Sequence, residues 1–219
     1  MKTLQKSGGI AALYMAISHL IGIVIFLVVL DYLSITDPSQ KVALNVEKQT
    51  VVFSTNLLMY VFFGFALTVL ALALYDRLKS GAPALMQAAT AVGIIWAGSL
   101  IASGMVANAG LATVVALYAK DPSQAVLTFQ SIETVANGLG NANGEILGGI
   151  WTLLVSLAAL RTGRLPKAMN FLGILVGAVG ILTIIPVLND FTGLFGMGQI
   201  VWFVWLGIFF LRNDSYATA

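Results

Sequence analysis

Glu145 is the side chain of this sequence with the clearest potential for chemistry, because an almost uncharged apolar run begins directly after it. A carboxylate inside a membrane is costly, and it normally faces a protein interior or a wet cavity. Asn137, Asn141 and Glu145 recur at intervals of four, which places them on one face of a helix. The spacing predicts a polar stripe that could bind a ligand or exchange a proton. Hydrogen bonding to a neighbouring helix alone is the simpler alternative.

Other polar side chains are expected at a similar depth. Asn56 and Tyr60 share one face of a second apolar segment, and Gln199 occupies the same level in the last one. Together with Glu145 and Asn141, they predict a small pocket open to the outer side of the membrane. For any single amide, an interhelical hydrogen bond is the competing interpretation.

The remaining residue types narrow the chemistry. His19 is the only histidine, and it is expected to pack in the first apolar segment or, alternatively, to move a proton or contact a ligand. There is no cysteine, so a metal site or a bound cofactor is not expected. No serine has a nearby general base, which disfavours nucleophilic catalysis. The net charge of +2 does not indicate a nucleic-acid partner.

Composition predicts the elements that must position these residues. Hydrophobic residues make up 59% of the chain and charged residues 9%, which indicates a multi-pass protein of the lipid bilayer. The uncharged run 146–160 has only 15 residues, so the fourth span must take in Glu145 and residues before it. We expect an all-α bundle with six spans in one domain, 1–219. The predicted spans are about 8–30, 51–75, 84–107, 140–160, 168–188 and 193–211.

The distribution of basic residues predicts the orientation. With both termini inside, eight lysines and arginines fall in the cytoplasm and three fall outside. This bias obeys the positive-inside rule and predicts that both termini are cytoplasmic.

Two copies of D-P-S-Q, at 37–40 and 121–124, predict additional short helices outside the membrane. Asp37 and Asp121 suit the N-cap position, and a proline follows each of them at the first helical position. The expected helices cover about 38–50 and 122–135 and lie at the outer interface. The repeated motif also predicts a weak tandem repeat, in which three helical hairpins build the bundle.

Glycines spaced by four predict close helix packing. Gly140, Gly144 and Gly148 form two successive G-x-x-x-G steps, and Gly173 with Gly177 forms another. Such faces could pack within the chain, or they could dock a second copy or another membrane protein.

Several motifs resemble a family of small bacterial multi-pass membrane proteins that is labelled only as a domain of unknown function. They are K-T-L-Q-K-S-G-G-I-A-A-L, L-A-L-A-L-Y-D-R-L, N-G-L-G-N-A-N-G-E-I-L-G-G and G-Q-I-V-W-F-V-W-L-G. The resemblance runs over nearly the whole chain and implies six helices in a bacterial inner membrane. It assigns no catalytic or binding residue.

The leading functional hypothesis is that the protein binds or transports a small molecule or lipid through the pocket around Glu145. The alternative is a non-catalytic accessory or assembly subunit, for which we expect packed helices without a ligand-sized cavity. An intramembrane enzyme that uses Glu145 or His19 as an acid–base group is the third hypothesis, and it is less favoured because no second catalytic group is evident nearby.

Overall fold

The computed structural model describes residues 2–32, 34–141 and 144–212, which contain helices and no β-strand. Three π-helical turns, Ile25–Val29, Leu57–Phe62 and Asn137–Asn141, and one 3-10 turn, Pro186–Phe191, extend or join the α-helices of these residues. The α-helices are α1 (Lys2–Val24), α2 (Pro38–Glu47), α3 (Gln49–Asn56), α4 (Phe63–Leu78), α5 (Pro83–Tyr118), α6 (Pro122–Ala136), α7 (Gly144–Thr162), α8 (Lys167–Leu182) and α9 (Thr192–Arg212).

In the described part of the chain, five helical segments are long and apolar enough to cross a membrane. The chain is therefore a multi-helix membrane protein, as its composition predicted. Helix α8 is also apolar, but it is shorter, and it ends at Leu182 rather than near the predicted residue 188. Pro186, which has no N–H to donate, begins a separate 3-10 turn there. The five segments are Thr3–Val29, Gln49–Leu78, Pro83–Tyr118, Pro122–Thr162 and Pro186–Arg212.

Helix α5 is much longer than the predicted span 84–107. Its 36 residues extend about 54 Å at the usual helical rise, whereas the hydrocarbon core of a bilayer is about 30 Å thick. The sequence after residue 107 remains rich in alanine, leucine and valine, so nothing local ends the helix where the membrane ends. One end of α5 must therefore project beyond the hydrocarbon.

Two short helices pack on this projecting end of α5. Helices α2 and α6 contact each other and α5, with Val42, Val114 and Ala125 fully buried between them. We call α2, α6 and residues 108–118 of α5 the cap. The predicted N-caps are confirmed, because the carboxylates of Asp37 and Asp121 accept hydrogen bonds from the backbone N–H groups of Ser39 and Gln124, at 3.0 Å each.

The helix that was expected to carry the stripe of Asn137, Asn141 and Glu145 is interrupted. Gly140 has non-helical dihedral angles (φ 166°, ψ −6°), which separate the π turn after α6 from the start of α7. The predicted stripe is therefore wrong, since Asn137 and Glu145 belong to different helical segments. The described residues do not include 142 and 143, the side chain of Asn141 or the surroundings of Gly144. The two glycine steps that Gly144 was predicted to form therefore lie outside the described residues.

The long helices pack in chain order and close on themselves. Helix α1 contacts α4, α4 contacts α5, α5 contacts α7, α7 contacts α8, α8 contacts α9, and α9 returns to α1. An aromatic cluster fills the interior that these helices surround. Its rings lie 5.6–6.4 Å apart and belong to Phe63, Trp96, Trp151, Trp202 and Phe203.

Both ends of the described chain meet at the end of the bundle opposite the cap. Gln5 donates a hydrogen bond to the Ala73 carbonyl at 2.8 Å, and it accepts one from Arg77 at 3.2 Å. The Arg77 guanidinium lies 5.2 Å from the ring centroid of Phe210 near the end of α9. Arg164, in the turn between α7 and α8, donates to the Arg77 carbonyl at 2.6 Å. We call this region the basic end.

Helices α7 and α8 approach each other through glycine. A Cβ placed on Gly149 would lie 2.8 Å from the carbonyl oxygen of Gly177, and the reverse distance is the same. A Cβ on Gly173 would meet the Ser156 hydroxyl. The predicted close packing at Gly173 and Gly177 is therefore confirmed, and it occurs within the chain.

We expect Gly177→Ala to lower the stability of the protein by about 1–3 kcal/mol, since the new methyl group would press on backbone atoms that cannot rotate away. Thermal unfolding in detergent measures the change. Gly98→Ala is the matched control, because a Cβ there meets nothing within 4 Å. Equal destabilisation by the two variants would contradict the close helix contact.

Candidate ligand-binding cavity

A cavity of ≈ 260 Å³ lies where the cap meets the bundle. It is bounded by the π turn that follows α1, by α2, by α3 and the π turn that follows α3, by α5, and by α6 with the turn after it. Its lining residues are Phe26, Leu27, Tyr32, Asn45, Val52, Asn56, Tyr60, Ala107, Gly110, Leu111, Val114, Phe129, Ile132, Glu133, Ala136 and Asn137.

Two π turns, and the third turn, which the kink at Gly140 interrupts, contribute to this lining. Phe26 and Leu27 come from the first, Tyr60 from the second and Asn137 from the third. A π turn widens the helix by one residue and is often found at functional sites. The π-helical backbone of the described residues therefore lies around the cavity, whereas the 3-10 turn Pro186–Phe191 contributes no lining residue.

A polar group joins three separate elements at the cavity wall. Asn45 of α2 donates a hydrogen bond to the Tyr32 hydroxyl at 3.3 Å and another to the Lys41 carbonyl at 2.7 Å. The same hydroxyl interacts through a hydrogen bond with the carboxylate of Glu133 on α6. These contacts tie the segment after α1 to both helices of the cap.

Burial raises the pKa of Tyr32 above its ordinary value of 10.0, and the neighbouring Glu133 carboxylate raises it further, whereas the hydrogen bond from Asn45 acts in the opposite direction. Tyr32 is therefore a neutral phenol at physiological pH. It can donate its proton to Glu133 while its oxygen accepts from Asn45.

A buried amide pair forms the cavity wall nearer the bundle. Asn56 Nδ2 donates to Asn108 Oδ1 at 3.0 Å, and Asn108 Nδ2 donates to the Phe53 carbonyl at 3.2 Å. Since a carbonyl can only accept, the second bond fixes the orientation of Asn108. Asn56 then has to donate, which leaves its own carbonyl oxygen available at the cavity.

The structure brings only some of the predicted site residues together. Asn56 and Tyr60 line the cavity, whereas Glu145 is half-buried at the start of α7, outside the lining but close enough to Tyr60 for electrostatic interaction. The side chain of Asn141 lies outside the described residues. Ligand binding by these residues stays a prediction.

Gln199 and His19 occupy other parts of the interior. Gln199 is 1% exposed and donates to the Thr152 hydroxyl of α7 at 2.8 Å. His19 Nδ1 donates to the Met15 carbonyl at 3.3 Å, and its ring meets the ring of Phe63 edge-on at 5.1 Å. Both contacts are those of packed side chains, and neither residue lines the cavity.

Comparison with known proteins gives a family. A family model described as "Domain of unknown function (DUF4386)" matches residues 9–211. The chain belongs to this family. The match confirms the family resemblance that the sequence motifs indicated. No curated protein and no solved structure matches the chain significantly.

Glu133, like Tyr32 and Asn45, is a polar cavity residue of this DUF4386 protein that the sequence patterns did not predict. A helix was expected over 122–135, and an acidic residue in an interfacial helix is ordinarily solvated. The available signal was a spacing of four between Phe129, Glu133 and Asn137, which places an aromatic ring, a carboxylate and an amide on one helix face. Only the docking of α6 on α5 shows that this face is turned inward.

The donor set does not resemble a metal centre. In the part of the chain that the structure describes, no group of three or more histidine, cysteine, aspartate or glutamate side chains could hold an ion. Among the described lining residues of the cavity there is one carboxylate, accompanied by amides, phenols and apolar groups.

We expect Tyr32→Phe to destabilise the protein by about 1 kcal/mol at neutral pH, because Asn45 and Glu133 lose a shared hydrogen-bond partner. Above pH 10 the unfolded chain ionises Tyr32 before the folded protein does, so wild-type stability falls relative to the variant. The difference in unfolding free energy should therefore be constant up to about pH 10 and narrow above it.

Denaturant unfolding between pH 7 and 11 measures this difference. Tyr118→Phe is the control, since Tyr118 does not line the cavity. A Tyr32→Phe curve parallel to the wild-type curve throughout would contradict the raised pKa.

Proposed function

We propose that this protein binds a small organic molecule in the cavity between the cap and the bundle. The observation that carries the proposal is a partly open cavity of ≈ 260 Å³ with largely apolar walls and several polar lining groups. Ligand sites generally combine these two features. The π turns and the Tyr32 hydrogen bonds support it further, because they shape the backbone and fix the side chains around the same space.

The proposal includes a topology. Six spans would be formed by α1, by α3 with α4, and by α5, α7, α8 and α9, and consecutive spans would pair as three hairpins. The positive-inside rule would place the basic end, with Arg77 and Arg164, in the cytoplasm of a bacterium. Both termini would lie there, and the cap and its cavity would face the outer side of the inner membrane.

Binding fits the geometry better than passage through the bundle. Below the cavity, the interior is filled by the aromatic cluster, in which Trp151 and Phe203 are 0% exposed. A transported molecule would have to displace these rings. The structure thus favours a receptor or carrier with an outer site over an open pathway.

The accessory-subunit hypothesis has less support. It predicted packed helices without a ligand-sized cavity, and it relied on glycine faces to dock a partner. Gly149 and Gly177 are instead used between α7 and α8 of the same chain, and Gly148 packs against Trp96 and Phe195. An acid–base role for His19 and Glu145 has less support too, since neither lines the cavity.

Filling the cavity should abolish binding. Ala107→Phe would place a ring in the cavity, whereas Ala109→Phe adds the same ring at an exposed position two residues away on α5. Leu111→Trp fills the cavity from the next turn and is the second test variant. Native mass spectrometry of gently solubilised protein, supplemented with host lipid and metabolite extract, would reveal the bound molecule.

We expect a bound small molecule with wild type and with Ala109→Phe, and its loss from Ala107→Phe and Leu111→Trp. Thermal unfolding checks that the variants are folded. Equal occupancy in all four proteins, or none in any of them, would refute a binding role for this cavity.

The topology can be tested with single cysteines, because the natural chain contains none. Ser39→Cys lies at the start of α2 in the cap, and Ser80→Cys lies in the turn before α5 at the basic end. In intact cells, a membrane-impermeant maleimide should label Ser39→Cys at once and Ser80→Cys only after permeabilisation. The opposite pattern would reverse the proposed orientation.

A further inference from the structure

We propose that the ligand of the cap cavity is an organic ammonium ion that carries N–H donors, with an aromatic or branched alkyl body. This inference rests on the proposed binding function and specifies the chemical class of its ligand. It follows from the charge, the hydrogen-bonding capacity and the walls of the cavity.

The charge of the cavity is negative. Among the lining residues that the structure describes, Glu133 is the one acid or base with a formal charge. It is half-buried, and in the described chain the ion pairs are Lys48 with Glu47 and Lys79 with Asp76, so Glu133 belongs to neither. A partly desolvated carboxylate is stabilised by a cation that donates hydrogen bonds to its oxygens.

The hydrogen-bonding groups that face the cavity are mainly acceptors. Asn45 Nδ2 is used twice within the protein, by the Tyr32 oxygen and the Lys41 carbonyl. Asn56 Nδ2 is used by Asn108. Backbone carbonyls fix these amide orientations, directly for Asn45 and through Asn108 for Asn56.

Among the described lining residues, the groups that remain for a ligand include the carboxylate of Glu133, the carbonyl oxygens of Asn45 and Asn56, and the Tyr60 hydroxyl, which can accept as well as donate. Neither amide oxygen accepts a hydrogen bond from another described residue, and neither is a buried unpaired atom, so both are accessible from the cavity or solvent. The carboxylate and the two carbonyl oxygens suit a primary ammonium group, which has three N–H donors. An anion would be repelled by the carboxylate and by the two carbonyl oxygens.

The walls suit the rest of such a molecule. Phe26, Tyr60 and Phe129 present aromatic surface, and Val52 and Leu111 add aliphatic surface. Aromatic faces attract ammonium groups and also accommodate apolar substituents. The ring of Tyr32 already has a cation near it, since Lys41 Nζ lies 5.1 Å from its centroid. Tyr32 would therefore contribute its hydroxyl rather than its face.

Two sources can supply the primary ammonium group: a free organic amine with the apolar body described above, or the ethanolamine headgroup of a phospholipid, which supplies the ammonium group but not that body. Both present a primary ammonium group to the same acceptors. The choice of membrane in the binding experiment separates them.

The test measures binding of three probes of similar shape to the full chain in phosphatidylglycerol nanodiscs. The probes are 2-phenylethylammonium, neutral 2-phenylethanol and anionic phenylacetate, and isothermal titration calorimetry gives their affinities. We expect the ammonium probe to bind at least about tenfold more tightly than the alcohol, as a charge-assisted hydrogen bond provides. Phenylacetate should not bind measurably.

Glu133→Gln should remove most of this preference and leave the alcohol unaffected, because it keeps the shape of the side chain and removes its charge. Glu133→Asp keeps the charge and should retain part of the preference. Glu47→Gln is the control, since Glu47 is exposed and does not line the cavity.

If phosphatidylethanolamine in the nanodisc weakens binding of the ammonium probe by competition, the source is the lipid headgroup. If phosphatidylethanolamine leaves the affinity of the ammonium probe unchanged, the natural ligand is a free amine.

The outcomes separate the two proposals. If the alcohol or the anion binds as tightly as the ammonium probe and Ala107→Phe abolishes this binding, the ligand class is wrong and the binding function stands. If Ala107→Phe leaves the affinity of every probe unchanged, both proposals fail for this cavity. If the ammonium probe does not bind wild type, the amine inference is refuted, and the mass-spectrometric comparison still decides the binding function.

Discussion

The mismatch between the length of α5 and the thickness of a bilayer is the constraint on which the rest of the structure depends. Helix α5 has 36 residues, almost twice the roughly 20 residues that are needed to cross the hydrocarbon. Its excess length supplies the platform on which α2 and α6 dock. Without that platform the two short helices would have nowhere to bury Val42 and Ala125, and the cavity between cap and bundle would not exist.

The two parts of the molecule have different packing chemistry. In the bundle, large aromatic rings and glycine contacts fill the interior almost completely. At the junction with the cap, amides, phenols and a carboxylate face a space that packing has not filled. Dense packing beneath a polar space holds the cavity walls in place, which reduces the conformational entropy that a ligand would have to remove on binding.

Local signals predicted some elements well and others poorly. Asp37 and Asp121 were identifiable as N-caps because capping depends on neighbouring residues alone. The end of α5 was not identifiable from the sequence, because helix propensity continues past the predicted membrane boundary. Only the contact with α2 and α6 accounts for the added turns. The spacing of glycines predicts that Gly140 belongs to a packing step, whereas its backbone interrupts the helix. Glu133 was missed because its importance depends on which face of α6 docks, a tertiary property.

The π turns have a consequence for how side chains are distributed around each helix. A π turn contains one residue more than an α-helical turn. This extra residue rotates the direction of all following side chains by about 100°. In the segment Gln49–Leu78, the turn at Leu57–Phe62 lets Asn56 face the cavity while Leu67 and Leu74 still face the bundle interior. In a regular helix of the same sequence Asn56, Leu67 and Leu74 would share one face, because separations of 11 and 18 residues are close to whole numbers of turns. The rotational offset thus allows a single helix to serve two differently oriented interiors.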